Sequence, residues 1–196
     1  MWDEAEKFLS KDKYIGPLIK KYGPCKIKPG KKKDYFLDLV DAISSQQLSG
    51  KASLTILNRI KDRVGGKVTP ENILKLKNEG IRACGMSWAK VAYVKDLAQK
   101  VKSNKLQVKK LDKLSDEEVV KELIAVKGIG KWTSEMFLMF SLGRQDVFPN
   151  DDLGIMKAMK ILLKKDTEPD NMAKFAERWR PYRTIASWYL WKLIDG

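Results

Sequence analysis

Apolar residues recur at three- and four-residue spacing along most of this chain, and no stretch alternates convincingly with period two, which confines the fold to helices. Phe36, Leu39, Val40 and Ile43 share one helical face, and Leu57, Ile60 and Val64 share another after the polar stretch "SQQLSGKAS". Thr69 before Pro70 and Ser87 before "WAKVAYVKDLAQKV" are start signals; Val91, Val94, Ala98 and Val101 line the second of these helices. Gly80 and Gly85 punctuate the turn between them. Ser115 and Glu118 form a capping box ahead of Val119, Val120, Leu123 and Ile124. That helix runs into "VKGIG", and a further helix from about Trp132 to Leu142 leaves it and is closed by Gly143. The loop "RQDVFPNDD" then puts carboxylates where a cap belongs, ahead of Ile155, Met156, Met159, Leu162 and Leu163. Two more helices, parted at Pro181, complete an all-α reading whose weakest boundary is residues 24 to 34.

The chemistry open to such a chain is narrow. It has 196 residues, 43% of them apolar, enough to bury a core in one domain or in two closely packed lobes. The formal charge of +14, from 39 basic against 25 acidic residues, favours an anionic partner: nucleic acid first, an acidic membrane second. No apolar run approaches the roughly 18 residues of a membrane span. The charged opening "MWDEAEKFLSKDK" does not resemble a signal peptide, so a cytoplasmic protein is expected. There is no histidine, which excludes imidazole bases, Ser-His triads and His-ligated metals. Cys25 and Cys84 lie far apart in no paired metal spacing and read as ordinary reduced side chains. Catalysis, if present, must run on carboxylate, lysine, hydroxyl or backbone groups.

Gly-x-Gly-Lys at 128–131 invites a phosphate, but two nucleotide motifs fail on inspection. A Walker loop needs glycine where this chain has Ala125 and Ser or Thr where it has Trp132. A dinucleotide fingerprint needs a third glycine at Thr133 and a strand in front. Helix, "VKGIG" and helix is instead a helix-hairpin-helix pattern, in which glycines permit positive φ and close approach of backbone amides while the second helix offers its positive end. Its natural ligand is a DNA backbone phosphate, with Lys127 and Lys131 adding charge. The plainer alternative is an ordinary helix-helix turn.

The stretch "LIAVKGIGKWTSEMFLMFSLGRQDVFPNDDLGIMKAM", with "ISSQQLSGKAS" before it and "RWRPYRTIASWYLW" after it, resembles the helix-hairpin-helix DNA glycosylase superfamily, nearest to its 3-methyladenine branch. The resemblance spans residues 35 to 193. It implies a monofunctional enzyme that hydrolyses the N-glycosidic bond of alkylated purines in double-stranded DNA as a monomer without a cofactor. The alternative is a non-catalytic protein that binds damaged or branched DNA through the same hairpin. The implied fold has two helical lobes with a cleft between them: residues 1–30 plus 145–196, and 31–144 with the hairpin at 126–130.

Residue by residue, the resemblance puts the carboxylate that faces the target sugar at Asp152; Asp151 beside it reads as a helix cap. The wedge that fills the gap left by a flipped base falls on Gln47 or Leu48. Lys127, Gly128, Gly130, Lys131 and Thr133 match the DNA contacts, and Trp132 a pocket aromatic, with Tyr182 the second. Met136 and Leu153 stand where some relatives carry tyrosine, which suits a pocket for already-cationic bases. Trp179, Trp188 and Trp191 read as core. Bifunctional relatives carry a lysine where this chain has Trp132, so no lyase step is implied. No metal site is expected, beyond one monovalent cation that relatives hold through carbonyls matching Ile124, Val126 and Ile129.

Overall fold

The structure is a computed structural model that describes residues 2–28, 34–164 and 166–196; residues 29–33 of the boundary expected at 24–34 lie outside the described part. Every regular element among the described residues is helical. The α-helices are α1 (Asp3–Leu9), α2 (Ile15–Tyr22), α3 (Tyr35–Ser45), α4 (Gly50–Arg63), α5 (Pro70–Lys75), α6 (Asn78–Arg82), α7 (Trp88–Lys102), α8 (Asp116–Ile124), α9 (Lys131–Phe140), α10 (Leu153–Leu163), α11 (Pro169–Ala176) and α12 (Arg183–Asp195). Short 3-10 turns occupy Val108–Lys113 and Glu177–Trp179.

The start signals act as side-chain chemistry dictates. Thr69 Oγ1 accepts the Asn72 amide at 3.2 Å and Ser87 Oγ the Lys90 amide at 3.2 Å. At α8 the box is reciprocal: Ser115 Oγ takes the Glu118 amide at 3.2 Å while Glu118 Oε2 takes the Ser115 amide at 2.8 Å. Gly80 departs from the expectation of a turn. It lies inside α6, with no positive φ, and only Gly85 (φ +109°) has the backbone that a side chain would resist.

The chain forms two compact units. The first joins Met1–Lys31 to Leu138–Gly196. Its core is built on α12, where seven consecutive residues, Thr184 to Leu190, are buried, so this helix is surrounded on all sides. Trp179, Met172, Met159, Ile155, Leu9 and Ile15 fill the space around it.

The second unit is Lys32–Phe137. Here α7 is the central strut, packed by α3, α5 and α6. Two of its lysines end neighbouring helices: Lys90 Nζ donates to the carbonyls of Ser44 in the last turn of α3 and of Gln46 just past it, and Lys95 Nζ to those of Leu74 in the last turn of α5 and of Leu76 just past it. Burial drives both ammonium groups below their usual lysine range. The division between the units falls within α9, after Phe137, whereas the lobes implied by the resemblance part between residues 144 and 145.

Candidate nucleic-acid interface and active site

The hairpin after α8 is held from inside the second unit. Val126 and Ile129 are buried, which turns the intervening residues outward. Gly128 has φ +79°, and a Cβ there would lie 2.0 Å from Cδ2 of Tyr93, inside the ring's contact distance. The fold alone therefore requires glycine at 128. Gly130 is different: it has no positive φ, and a Cβ would meet no atom within 4 Å. Neither backbone conformation nor packing within the protein requires glycine there. Of the two hairpin glycines, Gly128 alone uses the positive φ that glycine permits.

The Lys127 amide donates to Asp96 Oδ2 at 2.9 Å, and Lys100 Nζ bonds the same carboxylate at 2.8 Å. Burial would raise the Asp96 carboxyl, but the bonds from Lys100 and from the Lys127 amide outweigh it and hold the group below its usual range. One hairpin amide is thus committed internally. The helical ladder of α9 begins with Ser134, whose amide reaches the Gly130 carbonyl at 3.0 Å, so the first turn of α9 presents its amides at the hairpin's end. Lys127 and Lys131 are exposed beside it, Lys131 Nζ lying 3.7 Å from Glu135 Oε1. Thr133, grouped with the DNA contacts in the sequence, has a buried side chain; its place one residue into the packed face of α9 removes that side chain from the surface. Among the carbonyls matched to a cation, that of Val126 accepts the Ile129 amide at 3.1 Å.

The loop "SQQLS" between α3 and α4 sits against this hairpin within the same unit. Gln46 Nε2 donates to the Gly128 carbonyl at 2.8 Å. Gln47 has φ +58°, a left-handed backbone that costs a residue with a side chain roughly 1–2 kcal/mol. Such strain persists where surrounding bonds impose it and is frequent at functional sites. Lys90 imposes it here, gripping the Ser44 and Gln46 carbonyls at 2.8 and 2.7 Å. Gln47 and Leu48, the two wedge candidates, are both exposed.

In the first unit the loop ahead of α10 ends at Asp152, which is buried and caps the helix: Oδ1 accepts the Ile155 amide at 2.8 Å. The same oxygen accepts Nε1 of Trp191 at 2.9 Å. Capping needs only the amide; the indole is a second, fixed donor. Gly154 makes room for it, since a Cβ there would lie 3.0 Å from Trp191 Cδ1 and 3.1 Å from Asp152 Oδ1. Trp191 in turn stacks on Phe140, centroids 6.1 Å apart.

The loop itself is fastened to the start of α12. Arg183 bonds both Asp146 carboxylate oxygens at 2.8 and 3.1 Å and its carbonyl at 2.9 Å, and Thr184 Oγ1 donates to the Arg144 carbonyl while accepting the Val147 amide. Asp152 therefore stands on a rigid mount. Asp151, read from the sequence as the helix cap, is exposed, and the residue that caps α10 is its neighbour Asp152; Leu153 is exposed as well.

Trp132 is 45% exposed on α9, Met136 is half-buried on the same helix, and Tyr182 is half-buried with its ring edge-on to Phe8. Trp179 and Trp188 are core, as expected, and Trp191 is half-buried, packed against that core and also bonded to Asp152. Gln46, Lys90, Gly154, Arg183 and Trp191 hold the candidate residues or their loops in place, and the sequence did not disclose them. Only the doubled glutamine at 46–47 hinted at one of them. Among the described residues no group of three or more Cys, Asp or Glu could hold a metal ion, and no helix is long and apolar enough to cross a membrane.

Comparison with known proteins places the chain in a family. The chain is 42% identical over 166 residues to DNA-3-methyladenine glycosylase 1 of Schizosaccharomyces pombe, covering 82% of this chain and 73% of that protein. It is 32% identical to the alkylbase DNA glycosidase-like protein mag2 of the same yeast, covering 98% and 93%. The solved structure of the Schizosaccharomyces pombe 3-methyladenine DNA glycosylase in complex with abasic DNA superposes with a TM-score of 0.83 at 38% identity, covering 96% of this chain and 95% of that one. Residues 40–182 match the description HhH-GPD superfamily base excision DNA repair protein, a span that contains the "SQQLS" loop, the hairpin, Asp152 and Tyr182, and the chain belongs to that superfamily.

Proposed function

We propose that this protein is a monofunctional DNA glycosylase that releases alkylated purines such as 3-methyladenine from double-stranded DNA, acting as a monomer. The observation that carries the reading is Asp152, a buried carboxylate whose Oδ1 is held by the Ile155 amide and by the Trp191 indole across a glycine that clears the way. A helix cap alone has no need of the second donor.

In this reading the hairpin binds backbone phosphate through the first turn of α9 and the lysines at 127 and 131, and Gln47 or Leu48 fills the stack when the base is turned out. Trp132 offers a π-face to a cationic purine. The C1′–N bond breaks and its electron pair leaves with the base, which neutralises a purine that was already positively charged. Asp152 stabilises the positive sugar left behind, and a water oxygen closes on C1′ and gives up its proton. Met136 and Leu153, in place of hydrogen-bonding phenols, suit a leaving group that needs no acid.

The test is chromatography of bases released from duplex DNA treated with a methylating agent, paired with electrophoresis of the strands. Free 3-methyladenine with full-length strands until alkali is added is the expected result, and borohydride should trap no covalent complex, because an indole at 132 cannot form an imine. Tight binding to the treated duplex without base release would favour the non-catalytic reading.

A further inference from the structure

One face of α7 gathers three contacts that belong to two different loops. Lys90, Tyr93 and Asp96 follow one another at three-residue intervals, so they lie within about 120° of one another around the helix and span roughly 9 Å along it. Lys90 sets the turn that holds Gln47 in its left-handed conformation. Tyr93 lies beneath Gly128, and Asp96 bonds the Lys127 amide. Wedge turn and hairpin are thus mounted on one strut, and Gln46 closes the bracket, bonding the Gly128 carbonyl from 82 residues away with the side chain next to the strained residue. Leu48 completes the turn by donating its amide to the Ser45 carbonyl at 3.0 Å.

We propose that Gln46 is a positioning residue for base extrusion, tying the wedge turn to the phosphate-binding hairpin so that a phosphate seated at the hairpin fixes how far Gln47 and Leu48 enter the duplex. It rests on the glycosylase reading above. Gln46 touches neither the sugar nor the base in this scheme. Its amide registers one loop against the other, and Lys90 supplies the rigidity that makes the register transmissible.

The discriminating measurement is fluorescence of 2-aminopurine placed beside a tetrahydrofuran abasic analogue in a duplex, which brightens when the stack is opened. It is read alongside affinity for an undamaged duplex. Gln46→Met keeps the length and loses the donor; Gln46→Glu sets an acceptor against the Gly128 carbonyl. Both variants should retain undamaged-duplex affinity within about threefold and lose about tenfold in the opening equilibrium, the scale of one hydrogen bond. Wild-type brightening in both variants would overturn the inference, as would an equal loss in the two readouts, which would show a general weakening of the unit. Absence of brightening with the wild-type protein would overturn the glycosylase reading along with this inference. Asp152→Asn should brighten as wild type does, because it acts after the base has left the stack.

Discussion

At the scale of single residues, a side chain's function is limited by what each of its donors and acceptors is already bonded to. Asp152 was legible as a helix cap from its place before Ile155, and the role proposed for it opposite the sugar came from resemblance; the Trp191 bond was legible from neither. An indole at helical spacing near the end of an apolar helix looks like core, and Trp179 and Trp188 are core. The partner lies 39 residues away, a distance at which only the folded packing brings polar groups together. Asp152→Asn should therefore lower single-turnover base release by about a hundredfold or more with duplex affinity within a few-fold, the loss expected for one preorganised electrostatic group. Trp191→Phe keeps the stacking on Phe140 and removes only the N–H; it should cost about tenfold in the same rate, with thermal stability nearly unchanged. A Trp191→Phe rate equal to wild type would reduce the indole to packing.

At the scale of elements, the helices and their caps could be read directly because capping and amphipathic spacing are local: Thr69, Ser87, Ser115 and Asp152 all cap where their neighbours said they would. The two hairpin glycines looked alike in sequence and prove unlike in structure. Gly128→Ala combines a left-handed backbone with a Cβ driven into the Tyr93 ring and should destabilise the protein by about 2–4 kcal/mol, measured by thermal or denaturant unfolding. Gly130→Ala meets no atom and no positive φ, so stability should hold or rise slightly as the unfolded chain loses freedom. Its affinity should nonetheless fall about tenfold for damaged and undamaged duplex alike, with the deficit shrinking at high salt. A Gly130→Ala variant that binds normally would return that glycine to an unexplained position.

At the scale of the whole molecule, the resemblance implies lobes of residues 1–30 plus 145–196 and 31–144, and the structure divides inside α9, after Phe137, because the core that a helix end joins is set by packing between residues distant in the chain. The net charge of +14 was plain from composition, yet composition cannot separate a diffuse positive field from a few phosphate contacts. Salt dependence can. If Lys127 and Lys131 each neutralise one phosphate at the hairpin, then replacing either with alanine should lower the slope of log affinity against log salt by about 1, and equally for damaged and undamaged duplex. Lys20, exposed on α2 in the other unit, removes the same charge from the total and should leave the slope nearly unchanged when replaced. Equal changes for all three variants would mean that the duplex senses only the summed field of the protein, and the hairpin would lose its claim to be where phosphate is held.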